Sequence, residues 1–255
     1  MTPPAPTERW RLLRDGAASG VRNMALDEAL LIERRSGDAP TLRLYSWAEP
    51  TISLGRFQSA SELEPARAAG GFAMVRRITS GGAILHRPEE LTYALIAPYR
   101  LFGGRDPRLA YQRVHGVIAA ALASLGVRAE RRAVEAEQAS APFCFDRVTD
   151  LDLVTGAEGE AAKLVGSAQR RLGAAFLQHG SIPRADGGEV RRATSLARLL
   201  GRVPSHSEVE ACLVAAFARA FAISFGESAL SAAELAASAR LERERYGEEA
   251  WTRER

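Results

Sequence analysis

The sequence predicts an α+β fold: a large mixed β-sheet flanked by helices, with a helical C-terminal region. Three observations predict it. Short alternating apolar segments joined by tight Gly- and Pro-containing connections crowd the chain up to Pro183. Helical patterns interrupt them too rarely for the strand–helix alternation of a doubly wound parallel sheet. Beyond Pro183 the apolar spacing turns to three and four residues.

The elements follow in order. Residues 1–8 are a Pro-rich lead expected to be disordered, 9–185 the main domain, and 186–255 its helical extension. Trp10–Asp15 alternates as a strand. Asn23–Glu33 is a helix, with Asn23 as cap and Met24, Leu26, Leu30 and Leu31 on its apolar stripe. Thr41–Trp47 and Thr51–Arg56 are strands on either side of Pro50. Ser61–Ala69 is a short helix, since Ser61 and Glu64 have capping-box spacing. Phe72–Ile78 is a strand, Thr79–Gly82 a turn, and Ala83–His86 and Leu91–Ala97 further strands. A long helix runs from Pro107 to Leu125, then a strand from Val127 to Ala133 and a polar loop over 134–142. Leu151–Thr155, Lys163–Arg170 and Ala175–Ile182 alternate as strands, and 190–200, 205–222 and 231–245 as helices.

With 255 residues, 46% of them hydrophobic and 25% charged, the composition is that of a globular domain large enough to need no staples. No apolar run is long enough for a membrane span, and Met1-Thr-Pro-Pro-Ala-Pro6 does not read as a secretory signal. Two cysteines, Cys144 and Cys212, give no zinc spacing, and the expected setting is the reducing cytoplasm. A net charge of +3 with no dense basic block speaks against nucleic acid and suits acidic protein partners.

Of the 34 basic residues, all but Lys163 are arginine. A base-composition bias explains the arginines but not the exception. A position that keeps lysine among so many arginines is a candidate for what an ammonium alone offers, a compact three-donor point charge. Chance survival of one lysine is the competing account.

Four segments carry candidate chemistry. In Arg76-Arg77-Ile-Thr79-Ser80-Gly81-Gly82-Ala83-Ile-Leu-His86, two glycines at a strand end let a ligand approach the backbone, and free N–H groups can cradle an anion or carbonyl. The glycines alone favour a hairpin turn with solvated arginines, because a Gly-Gly turn is a weak signal. On a regular strand, Lys163, Val165, Ser167 and Gln169 would share one face, with Gly166 on the other. That row fits a polar ligand site or a solvent-facing edge strand. His179 lies beside a glycine in an apolar strand, as a structural imidazole often does, and His115 and His206 carry no partner signal. Cys144, in Phe143-Cys144-Phe145-Asp146, is either a small buried hydrophobe or a nucleophile that needs a cation or base nearby, which Lys163 could supply. Cys212 sits among Val209, Leu213 and Phe217 as a core residue of a helix.

Taken together, Asn23–Glu28, Arg76–His86, Lys163–Arg171 and Leu177–Ser181 resemble the lipoate–protein ligase/octanoyltransferase family, related to biotin ligases, over roughly residues 10–220. The resemblance implies a biotin/lipoyl protein ligase-like domain with the acyl chain near the glycine turn and the lysine. It implies substrate-binding roles for Arg76, Arg77, Thr79, Ser80, Gly81, Gly82, Ala83, His86, Gly166, Ser167, Ala168 and His179. Within the family, ligases activate lipoate with ATP. One class of octanoyltransferases instead takes octanoyl from acyl carrier protein through a cysteine in a Cys-Phe-Asp-like segment ahead of the lysine strand. Cys144-Phe145-Asp146 matches that segment, so the resemblance implies catalytic roles for Cys144 and Lys163. It implies octanoyl-acyl carrier protein as donor and, as acceptors, lipoyl domains of 2-oxoacid dehydrogenases or the glycine cleavage H protein. No cofactor, metal, nucleic acid or membrane is expected, and ATP with Mg would enter only for a ligase. A non-catalytic acyl-binding relative is the other alternative. The chain departs from the family pattern at Ser80, where a first glycine is usual, at Arg87, where an acid is common, and at Glu160-Ala-Ala162 before Lys163.

Overall fold

The computed structural model describes residues 8–104, 106–131, 143, 149–156, 161–186 and 193–254. Cys144 and the 134–142 loop lie outside the described residues.

The main sheet has eight strands: β1 (Glu8–Ala18), β2 (Thr41–Trp47), β6 (Glu90–Pro98), β7 (Glu130–Arg131), β8 (Leu153–Thr155), β9 (Ala162–Leu172), β10 (Ala175–Pro183) and β11 (Ile223–Glu227). Their order is β11-β1-β2-β6-β10-β9-β8-β7. β1 runs parallel to both β11 and β2, and the remaining pairings are antiparallel. A smaller sheet joins β3 (Thr51–Leu54) in parallel to β4 (Ala73–Arg76) and antiparallel to β5 (Ile84–His86).

Apolar cores on both faces hold the layers. On one face α3 (Pro107–Ser124) and α5 (His206–Phe221) bury Val114, Ile118, Leu213 and Phe217 against Leu42, Leu44, Leu95 and Phe176. On the other, α1 (Gly20–Ile32) and α6 (Ala232–Leu241) bury Met24, Leu30, Leu31 and Ala237 against Tyr45, Trp47, Ile96 and Leu177. Val75 and Ile78 join this second core, which docks the small sheet beside α1. Burial on both sides explains why β2 and β6 are enclosed along their whole lengths. Cys212 is half-buried on α5 and packs against the first core.

The mixed sheet with flanking helices is as the sequence predicts, but several details differ. The first helix starts earlier, capped by Ser19, whose side chain accepts from the Arg22 N–H at 3.2 Å. Asn23 is not the cap. It is buried inside the helix, where its amide donates to the Ala18 and Ser46 carbonyls and accepts from the wholly buried Arg43. Ser61 caps nothing: α2 (Glu64–Gly70) has Leu63 at its N-cap, and Glu64 bonds Arg67 instead. The C-terminal region is not purely helical, because β11 follows α5 and extends the main sheet beside β1. Helix α4 (Leu196–Leu200) is shorter than expected, and α6 passes into a π turn at Glu242–Tyr246 before α7 (Glu249–Thr252).

These caps give a paired stability prediction. Ser19→Ala should cost about 1 kcal/mol, since it leaves an N-terminal N–H without its acceptor. Ser61→Ala should stay within about 0.5 kcal/mol of wild type. Urea unfolding of both variants checks it.

Candidate active site

The site lies where the turn after β4 faces β9 and β10. A cavity there is lined by Met24, Tyr45, Trp47, Ile84, His86, Ala168, His179 and Ser181. Its walls come from α1, the main sheet and the small sheet. Its lining mixes apolar side chains with a few polar groups, the make-up of a ligand-facing surface.

Lys163 is 1% exposed, and its Nζ lies 2.9 Å from Asp152 Oδ2. Asp152 also accepts from the Thr149 N–H at 2.8 Å and its hydroxyl at 3.0 Å. A Cβ at Gly166 would stand 2.6 Å from Lys163 Cε and 3.0 Å from Nζ, so the missing side chain makes room for the ammonium arm.

The expected strand face is corrected here. In the β8–β9 pairing Leu153 faces Val165 and the next residue, Val154, faces Lys163, so Leu164 is an extra residue. Such a bulge reverses the alternation. Leu164 and Val165 both enter the α3-side core, while Lys163 lies over Gly166. Ser167 faces α3 instead, in hydrogen-bond contact with Tyr93 Oη at 2.6 Å and His115 Nε2 at 2.7 Å. It therefore lies across the sheet from Ala168, which lines the cavity. Gln169 bonds Gln178 and Tyr99 on Ser167's side. His115, which carried no partner signal in the sequence, is the buried imidazole of this second cluster.

The glycine turn is held from beneath. Arg77 is 2% exposed and donates to the carbonyls of Ser53, Ser80 and Gly82 at 2.7, 2.9 and 2.8 Å. Gly81 has φ +103°, which a side chain would strain. Ala83 pairs in a parallel bridge with Phe143, the residue before Cys144 in the chain. Thr79 bonds His179, and His86 bonds Ser53 and Glu90. His179 in turn meets Asp27 at 2.8 Å. Burial pushes His179 below the usual imidazole range, against the pull of Asp27.

Arg76 points the other way and is wholly buried. It donates to the carbonyls of Gly55, Gln58 and Thr252 at 2.9, 2.7 and 2.8 Å. Both arginines are thus enclosed and engaged with protein carbonyls, where the turn taken alone allowed solvated ones. The sequence also missed Asp27, Glu90 and Asp152. Asp27 lies within the Asn23–Glu28 motif, but its partner His179 is far along the chain, and Asp152 meets Lys163 only through strand pairing.

The fold is that of the lipoate-protein ligases. A lipoate-protein ligase A solved with ATP superposes with a TM-score of 0.81 at 23% identity, over 96% of this chain and 98% of its own. A bi-partite lipoate protein ligase from Thermoplasma acidophilum, studied with its E2 lipoyl domain, gives 0.78 at 21%, over 96% of each chain. The lipoyl protein ligase A/B catalytic domain family matches residues 19–185, and the chain belongs to this family. Octanoyltransferase LipM of Moorella thermoacetica is 35% identical to it over 90% of this chain and 92% of that protein. The octanoyltransferase LipM of Symbiobacterium thermophilum is 33% identical over 95% and 97%.

His115 provides a pH test. Burial lowers its pKa from 6.5 to about 3, so the folded protein holds it neutral. Between these values the unfolded chain binds the extra proton, and stability falls as pH drops. The His115 share of that slope should approach about 1.4 kcal/mol per pH unit. Denaturant unfolding at pH 7, 5.5 and 4 should show a shallower loss in His115→Gln than in wild type.

Proposed function

We propose that the chain transfers octanoyl from octanoyl-acyl carrier protein to a lysine of lipoyl domains, by way of a thioester on Cys144, in the cytoplasm. The acceptors are lipoyl domains of 2-oxoacid dehydrogenases or the glycine cleavage H protein. The observation that carries this reading is the buried Lys163–Asp152 pair beside Gly166, in a fold where Ala83 of the glycine turn bridges the residue before Cys144. The full-length relatives named octanoyltransferase support it.

In the first half-reaction the Cys144 thiolate attacks the thioester carbonyl. The carbonyl electrons move to oxygen, where the fixed ammonium of Lys163 stabilises the developing charge. Collapse forms the Cys144 thioester and expels the carrier thiolate, which takes up a proton. In the second half the neutral ε-amine of the acceptor lysine attacks that thioester. Collapse expels the Cys144 thiolate, the nitrogen loses its proton, and an amide remains. A thioester lies above an amide in free energy, so no nucleotide is consumed. The acyl chain is assigned to the cavity lined by Ala168, Ile84, His86 and His179, with the Thr79–Ala83 turn, tied to His179 through Thr79, and Gly166 assigned to its surroundings. Arg76 and Arg77 act through the backbone they hold, and Ser167 through its bonds to Tyr93 and His115. A basic pI of about 9.2 favours encounter with acidic carrier and lipoyl domains.

Incubation with octanoyl-acyl carrier protein, without ATP, should add one octanoyl group to the enzyme by intact mass. Cys144→Ala should show neither adduct nor transfer. Full transfer by Cys144→Ala, or strict dependence on ATP, refutes the mechanism.

Two substitutions test the lysine. Lys163→Arg keeps the charge, but a planar fork does not fit the space that Gly166 leaves. A displacement of about 1 Å should cost roughly a hundredfold in rate. Gly166→Ala should lower the transfer rate at nearly unchanged stability, because the new methyl meets the flexible end of Lys163. Single-turnover transfer and thermal unfolding, measured side by side, separate the two effects.

A further inference from the structure

Two side-chain rows in the site share one plan. In the first, Asp27 Oδ2 meets His179 Nδ1 at 2.8 Å, His179 Nε2 meets Thr79 Oγ1 at 2.8 Å, and Arg77 Nε donates to Thr79 Oγ1 at 3.0 Å. In the second, Glu90 Oε1 meets His86 Nδ1 at 2.5 Å, His86 Nε2 meets Ser53 Oγ at 2.8 Å, and Arg77 Nη1 donates to Ser53 Oγ at 3.2 Å. The members come from α1, β3, β5, β6, β10 and the glycine turn. Both rows start at a carboxylate that is at most 5% exposed and end on one guanidinium.

The two ends set the direction of each row. A carboxylate only accepts and a guanidinium only donates. Each Nδ1 therefore donates to its carboxylate. With the imidazole neutral, Nε2 accepts the hydroxyl proton, and the hydroxyl oxygen is left to accept from Arg77. We infer that Asp27 and Glu90 are positioning residues: each locks its imidazole as the Nδ1–H tautomer, and the two hydroxyls so oriented fix Arg77 against the Ser80 and Gly82 carbonyls. The turn at the acyl pocket is thereby held in one shape. This inference rests on the octanoyl-transfer reading only for its kinetic consequence.

The surroundings of each carboxylate fit the role. Asp27 Oδ1 accepts from Arg43 at 2.8 Å, and Oδ2, the oxygen that meets His179, also accepts from Tyr45 Oη at 3.0 Å. Glu90 accepts from Thr92 Oγ1 at 3.0 Å, and Thr92 in turn accepts from Trp47 Nε1 at 2.9 Å. Trp47 stacks on His86 at 3.8 Å between ring centroids and 10° between planes. The stack fixes the ring plane, and Glu90 decides which nitrogen carries the proton. A carboxamide in its place can turn its NH2 toward Nδ1 and impose the other tautomer with little change of shape. The ring would then donate to Ser53, and the hydroxyl proton would lose its acceptor.

The test is nitrogen-15 NMR of imidazole-labelled protein, with steady-state kinetics on octanoyl-acyl carrier protein. Wild type should show both rings as Nδ1–H at pH 7.5. Glu90→Gln should move His86 to Nε2–H and raise KM for the octanoyl donor at least fivefold, with kcat changed less than twofold. Ser53→Ala should reproduce that KM, and the double variant should be no worse than Ser53→Ala, because both substitutions break one row. If Glu90→Gln does not fold, the wild-type tautomers and the Ser53→Ala kinetics carry the test. An Nε2–H ring in wild type, an unchanged KM in Ser53→Ala, or a tautomer change in Glu90→Gln at unchanged KM overturns the inference. The tautomer measurement needs no turnover, so a wild type with the stated tautomers but no octanoyl transfer defeats the activity reading and leaves the tautomer assignment standing.

Discussion

A buried guanidinium is the constraint around which the site is built. Arg77 carries a full charge out of water, which is tolerated when its donors are satisfied. Three carbonyls and two hydroxyls meet them, from β3 and the turn that follows β4. Because those hydroxyls are bound by imidazoles, which are held in turn by carboxylates, the demand of one side chain spreads to α1, β5, β6 and β10. Arg76, the preceding residue, points to the opposite side, as successive strand residues do. There it gathers the carbonyls of Gly55, Gln58 and Thr252. Neighbouring arginines thus hold different segments, Arg77 the glycine turn beside the cavity and Arg76 the loop after β3 together with the C-terminal helix.

The bulge in β9 divides the two faces of the strand. With regular alternation, Lys163 and Ser167 would compete for the same surface. One extra residue, Leu164, lets Lys163 meet Asp152 over Gly166 while Ser167 joins His115, Tyr93 and Tyr111 beneath α3. A buried ion pair is a poor way to gain stability, since desolvation of both charges opposes their attraction. What the pair provides is a charge held at a set position.

Much of the site was legible because its chemistry is unusual in sequence. A single lysine among arginines, a glycine pair after two arginines, and a Lys-Leu-Val-Gly-Ser-Ala-Gln run are visible without coordinates. The caps were less so. Ser19 and Asn23 are both good cap residues, and the choice fell to Ser19 because Asn23 is needed inside, against Arg43 and the Ser46 carbonyl. Ser61 has capping-box spacing to Glu64, yet Arg67 takes the carboxylate. His115 looked like any helical histidine until Ser167 came to face it across the sheet.

Local alternation and periodicity therefore determined the strands, the long helix at Pro107 and the α+β class, because burial of one side chain in two or in three to four is a property of the segment itself. Residue type determined the candidate chemistry, since only certain side chains donate, accept or attack. Tertiary structure alone decided which face of β9 carries Lys163, which carboxylates serve the imidazoles, and that β11 completes the sheet. Those outcomes depend on strand register and on partners far apart in the chain, such as Asp27 and His179, and no segment contains both sides of such a contact.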